Sequence, residues 1–228
     1  MIIKKEHIIA PSILGADFSK LREEIMMLSD TKAQWIHLDI MDQQFVPNLS
    51  FGPAIVKSIR PYTNLFFDVH LMVSNPFDLI KPFIDAGANG ISFHIEASEP
   101  RFTFPPKILI SQIKKAGLKC GIALKPKTPI SVLKKYLTMI DYVTVMSVEP
   151  GFGGQKFIES SMQKIQDLKY ILIELNLENK VKIQVDGGVI TQNALKCLES
   201  GADILVVGSE IFQSKNPKDT IETLISLK

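Results

Sequence analysis

Residues 182–208 read KIQVDGGVITQNALKCLESGADILVVG. A β-branched run ends in paired glycines, an amphipathic stretch follows over 191–200, Gly201 stops it, and a second apolar run closes the segment. By periodicity this is a strand, a helix and a strand, the unit from which parallel sheets are built. The fold turns on whether the unit stands alone or repeats.

It repeats along the whole chain. The sequence predicts strands over 7–14, 34–40, 65–72, 90–97, 119–125, 141–148, 182–188 and 202–208, each short and apolar. Helical patterns lie over 17–30, 53–60, 76–86, 105–116, 129–139, 158–175, 191–200 and 217–227. Asn75 with Pro76, Thr128 with Pro129 and Asn216 with Pro217 mark helix starts, while Gly87, Gly117 and Gly201 mark ends. Eight β/α repeats fit an α/β fold of one domain, a (β/α)8 TIM barrel over residues 1–228. An open doubly wound sheet has fewer strands and a GxGxxG turn after the first, which is absent here.

Composition excludes several function classes. Lysines and arginines number 26 against 24 acidic residues, scattered rather than striped, so no nucleic acid is expected as a partner. No apolar run approaches a membrane span, and the start MIIKKEHIIAPSIL is too charged for a secretory signal. A cytoplasmic enzyme with no membrane contact is the expectation. Cys120 and Cys197 are far apart, lack CxxC spacing and read as free, buried thiols.

In a parallel barrel, functional groups gather where strands end. Side chains alternate along a strand, so His37, Asp39 and Met41 share one face and Ile36, Leu38 and Ile40 the other, which meets the helices. The same alternation turns Asp68, His70 and Met72, Thr144 and Met146, and Gln184 and Asp186 inward. Buried His and Asp are costly unless something satisfies them. Imidazoles beside carboxylates suit a divalent ion such as Zn²⁺, Fe²⁺ or Mn²⁺. His94, in line with Glu96, reads as a residue that holds a ligand in place rather than as a ligand. Met41, Met72 and Met146 read as an apolar collar lining the pocket. The last three strands are followed by EPGFGGQ (149–155), DGG (186–188) and Gly208-Ser209. Glycine lets backbone N–H groups approach an anion, and a short helix near Ser209 aims its positive end at the same place, so a phosphate cradle is expected.

These residues fall in motifs that together resemble the ribulose-phosphate 3-epimerase family through nearly the whole chain. The motifs are APSIL (10–14), HLDIMDQQFVPN (37–48), DVHLMV (68–73), MSVEPGFGGQ (146–155), VDGG (185–188) and GSEIF (208–212). The resemblance implies a divalent metal (Zn, Fe(II) or Mn, with Co a further candidate) on His37, Asp39, His70 and Asp186. It implies acid/base roles for Asp39 and Asp186. It also implies substrate contacts from Ser12, His70, Gly151, Phe152, Gly153, Gly154, Asp186, Gly187, Gly188, Gly208 and Ser209. The implied activity is C3 epimerisation of a ketose phosphate, D-ribulose 5-phosphate to D-xylulose 5-phosphate in the pentose phosphate pathway, by a homo-oligomer, dimer or hexamer. A six-carbon ketose phosphate such as D-allulose 6-phosphate, or a non-catalytic phosphate-binding barrel, are the alternatives. The chain departs from the family's MDG at Met41-Asp42-Gln43, which strains or reshapes that loop if a positive φ is required. Residues 97–106, ASEPRFTFPP, are unusual as well and follow a strand, where a loop can shape the pocket mouth.

Overall fold

The computed structural model describes residues 6–97 and 104–227, so most of the unusual 97–106 stretch lies outside the described residues. Eight strands form one parallel sheet: β1 (Ile8–Pro11), β2 (Trp35–Met41), β3 (Phe66–Met72), β4 (Gly90–His94), β5 (Lys119–Leu124), β6 (Tyr142–Met146), β7 (Lys182–Asp186) and β8 (Ile204–Val207). Each strand pairs with its sequence neighbour, β1 pairs with β8, and a bridge from Ser12 to His37 joins β1 to β2. The result is a single-domain (β/α)8 barrel. Around it run α1 (Leu21–Ser29), α2 (Pro53–Ile59), α3 (Pro76–Asp85), α4 (Pro106–Lys115), α5 (Ser161–Glu174), α6 (Thr191–Glu199), a short α7 (Ser209–Phe212) and α8 (Pro217–Ile225). None of these helices is long and apolar enough to cross a membrane.

The alternation along β2 has the expected consequence. Ile36, Leu38 and Ile40 are buried in the main core between sheet and helices, each worth about 1.5–3 kcal/mol of transfer free energy when fully buried. One expected helix is missing. Residues 129–139 form two 3₁₀ turns, Ile130–Leu133 and Leu137–Met139. Ile130, Leu133, Tyr136, Leu137 and Ile140 are nonetheless buried in the core, as one face of a helix would be, so the segment keeps its apolar contacts in short 3₁₀ turns of the kind that connect longer elements. Cys120 and Cys197 are free and buried, and burial pushes the Cys197 thiol up to about 12.

Inside the barrel, the floor is aromatic. Trp35 packs against Ala10, Ile204 and Val206, stacks on Phe66 at 4.2 Å between centroids and meets Tyr142 edge-on at 5.8 Å. The Tyr142 ring fits because β5 carries glycine opposite it: a Cβ on Gly121 would lie 2.4 Å from a ring carbon. Above the floor the inward residues turn polar. Tyr142 donates its hydroxyl to Asp68 Oδ1 at 2.6 Å, Gln184 donates to Asp68 Oδ2 at 2.6 Å, and Thr144 donates to Gln184 Oε1 at 2.6 Å. These groups are fully buried, and both oxygens of Asp68 are hydrogen-bonded, as burial of polar atoms demands. The register then sets the next layer, pairing Asp39 with His70 across β2 and β3 and Met146 with Asp186 across β6 and β7.

Candidate active site

At the C-terminal ends of the strands, His37, Asp39, His70 and Asp186 each offer one ligand atom, and the four atoms lie within 4.8 Å of one another. His37 Nε2 is 3.3 Å from Asp39 Oδ1 and 3.5 Å from Asp186 Oδ2. His70 Nδ1 is 3.3 Å from Asp39 Oδ1 and 3.2 Å from Asp186 Oδ2. The far nitrogen of His37, Nδ1, bonds Asp68 Oδ2 at 2.8 Å, which fixes the ring with Nε2 toward the cluster. His94 is not one of the four: its Nε2 faces His70 Nε2 at 3.0 Å, and its Nδ1 faces Glu96 at 3.1 Å.

The electrostatics of the cluster are those of crowded, buried opposite charges. Burial opposes charge on His37, but Asp39, Asp68 and Asp186 outweigh it and hold its pKa well above the ordinary range. His70 is raised in the same way, against burial, by Asp186 and Asp39. Burial favours neutral carboxyls, yet the two imidazoles hold both Asp39 and Asp186 below their usual range. His94 goes the other way, pushed down to about 4 chiefly by burial. Two carboxylate oxygens and two imidazole nitrogens facing one point need positive charge between them, and this donor set fits a divalent cation. Such an ion would displace the protons that the imidazoles otherwise carry.

Over the cluster opens a cleft of about 310 Å³. Asp39 and Asp186 reach it from β2 and β7, which lie on either side of β1 and β8 in the sheet. Ser12 donates to Asp39 Oδ2 at 2.5 Å, holding that carboxylate. Met41, Met72 and Met146 form a buried apolar wall. The opposite wall is glycine-rich: Gly151, Phe152, Gly153 and Gly154 from one loop, Gly187 and Gly188 from the next, then Gly208 and Ser209. Gly188 has φ +63°, and a Cβ there would lie 2.5 Å from the backbone nitrogen of Phe157, so only glycine fits. Hydrogen bonds tie these loops together. Ser147 Oγ donates to Gly187 O at 2.6 Å, Asn193 to Gly188 O at 2.9 Å, and Thr191 Oγ1 to Glu210 of α7 at 3.0 Å. Gly208 opens α7 with no side chain capping it. Among the described residues the cleft is lined by no lysine or arginine.

All the candidate residues read from the sequence thus lie in this cleft or directly beneath it. Sequence reasoning missed Tyr142, and it marked Asp68 and Gln184 only as inward-facing, because their worth lies in pairings between strands far apart in the chain. Leu14, Val148, Ile190 and Gln213 also line the cleft; Leu14 and Val148 fall inside the quoted motifs, while no local pattern marks Ile190 or Gln213.

Comparison with known proteins agrees with this geometry. The model of the ribulose-phosphate 3 epimerase family matches residues 8–212. The chloroplastic ribulose-5-phosphate-3-epimerase of Arabidopsis thaliana is 43% identical over 225 residues, covering 99% of this chain and 78% of that protein. The ribulose-phosphate 3-epimerase of Bacillus subtilis is 41% identical over 216 residues, covering 95% of this chain and 97% of that one. Among solved structures, orotidine 5′-phosphate decarboxylase from Pyrococcus horikoshii superposes with a TM-score of 0.66 at 13% identity, over 96% of this chain and 97% of that one, which speaks to the barrel alone. Family model, full-length relatives and a barrel whose inward His and Asp side chains converge under a glycine-lined cleft lead to one assignment: the chain belongs to the ribulose-phosphate 3-epimerase family, whose members are carbohydrate epimerases.

Proposed function

We propose that this epimerase interconverts D-ribulose 5-phosphate and D-xylulose 5-phosphate by two-base proton transfer at C3, with Asp39 and Asp186 as the bases. The observation that carries the proposal is the placement of two carboxylates on β2 and β7, reaching one cleft from separate strands. Inverting a carbon requires that a proton leave one face and another arrive at the opposite face. Two carboxylates on opposite sides of the substrate plane do this without rotating the sugar. Asp39 takes the C3 proton in one direction while Asp186 donates, and the roles exchange in the other. Ser12 holds the Asp39 carboxylate in place through its second oxygen. The methionine wall keeps water away from the enediolate face.

His37, Asp39, His70 and Asp186 would hold the divalent ion, with zinc, ferrous iron, manganese and cobalt all suited to their donors. Its chemistry when bound is Lewis-acid stabilisation of negative charge developing on the substrate oxygens. The phosphate is taken by backbone N–H groups of the glycine loops and the start of α7, since the cleft lining offers no cationic side chain. The proposal covers the whole chain as one catalytic domain, working in the cytoplasm as a homo-oligomer, dimer or hexamer. A six-carbon substrate is not favoured, since the relatives carry the name of the five-carbon sugar. A non-catalytic barrel leaves the paired carboxylates without a task.

Turnover of ribulose 5-phosphate in D₂O tests the mechanism. Two bases give product carrying solvent deuterium at C3 from the first turnover, and Asp186→Asn stops epimerisation. Product that keeps the substrate's own C3 proton, seen by NMR at early times, would sink the two-base reading.

A further inference from the structure

The two imidazoles of the cluster are presented by opposite nitrogens. His37 turns Nε2 inward and is held by the Asp68 carboxylate on Nδ1. His70 turns Nδ1 inward, and its Nε2 meets another imidazole nitrogen, His94 Nε2, at 3.0 Å. Two ring nitrogens at that distance share a single proton, so one must donate and the other accept. Which one donates is decided two residues further on. His94 Nδ1 lies 3.1 Å from Glu96 Oε2, while Glu96 Oε1 accepts from the backbone N–H of Lys125 at 2.7 Å and from the Thr128 hydroxyl. Lys164 in turn donates to the carbonyls of Lys125, Pro126 and Thr128, fixing the loop that holds Glu96.

A carboxylate only accepts, so His94 carries its proton on Nδ1 and leaves Nε2 bare. The shared proton therefore sits on His70 Nε2, so Nδ1, which faces Asp39 and Asp186, is the nitrogen that can give up its proton to an ion. We propose that Glu96, acting through His94, is a tautomer clamp: the pair are positioning residues that hold His70 in the form able to bind a divalent ion through Nδ1. This inference rests on the metal reading given above. Neither residue touches the cleft.

Glu96→Gln tests it with nearly unchanged shape. The amide oxygen stays with the Lys125 N–H, so the amide NH₂ faces His94 Nδ1. That nitrogen must then be bare, the His94 proton moves to Nε2, and His70 is forced to carry its proton on Nδ1, where the ion belongs. Glu96→Asp keeps an acceptor-only group. Long-range ¹H–¹⁵N spectra of chelator-treated, histidine-labelled protein read the tautomers, and competition with a chromophoric chelator reads the affinity for Zn²⁺. The expected result is a proton on His70 Nε2 in the wild type and Glu96→Asp, and none on that nitrogen in Glu96→Gln. Zn²⁺ affinity should fall about 10–100-fold in Glu96→Gln and stay closer to the wild type in Glu96→Asp. The clamp is overturned if Glu96→Gln keeps the wild-type tautomer or affinity, or if Glu96→Asp loses as much as Glu96→Gln. A wild type that binds no zinc overturns the metal reading instead, while the metal-free spectra still decide the tautomer.

Discussion

Gln43 occupies the left-handed region at φ +59°, where a side chain costs about 1–2 kcal/mol relative to glycine-like freedom. The loop keeps this conformation because Asp42 over-determines it, accepting from the N–H groups of Gln44 and Phe45 and from both the N–H and hydroxyl of Ser74. Gln43→Gly should therefore stabilise the protein by about 0.5–1 kcal/mol, read from urea denaturation, with little change in kcat. A destabilised variant would mean that the Gln43 side chain makes a contribution larger than its strain. At this scale the sequence was most informative where chemistry was out of place: histidine and aspartate in the middle of apolar runs announce a site, and alternation tells which way they face. The same logic could not rank Asp68 among them. Its role beside His37 depends on Tyr142 and Gln184, residues on strands whose proximity only the closed barrel creates.

Secondary elements were legible where period and punctuation agreed, as in α3 and α8, each opened by an Asn-Pro pair. Residues 129–139 show the limit. Their apolar residues keep helical spacing and still pack on the core, yet the backbone takes two short 3₁₀ turns, which the pattern alone does not distinguish from an α-helix. Between those turns and β6 stands Asp141, which joins three elements. It accepts from Lys114 of α4 at 2.7 Å, from Lys119 of β5 at 3.1 Å and from the Cys120 N–H at 2.8 Å. Burial alone would raise its pKa, but these donors bring it below the ordinary 3.8. A depressed folded pKa means that the contribution is present above the unfolded value and is lost as pH falls through the folded one. Asp141→Asn should thus be less stable than the wild type at pH 7, by about 1 kcal/mol after allowance for the exposed lysines. The difference should shrink steadily below pH ~4. Equal denaturation midpoints at pH 7 would show that the triple contact carries no net stability.

For the whole molecule, the closed sheet brings side chains from β2, β3 and β7 to one point, so occupancy of that point should be felt by the entire fold. A divalent ion supplied at about a hundred times its dissociation constant should add ~2.7 kcal/mol to the unfolding free energy, which for a chain of this size is on the order of 5–10 °C in Tm. The shift should nearly vanish in His70→Ala, and a full shift in that variant would place the ion elsewhere. The barrel itself was readable from eight repeats, whereas the cleft's breadth and loop ties were not, since they arise from contacts among loops at separate strand ends. The floor of the barrel has a last consequence. Trp35 is the chain's single tryptophan, stacked on Phe66 and set against Tyr142, whose hydroxyl holds the carboxylate that holds His37. The protein's indole fluorescence therefore originates at the end of the barrel away from the sugar. A change in emission when the cleft fills is a signal relayed through that hydrogen-bonded column, not a touch from the ligand.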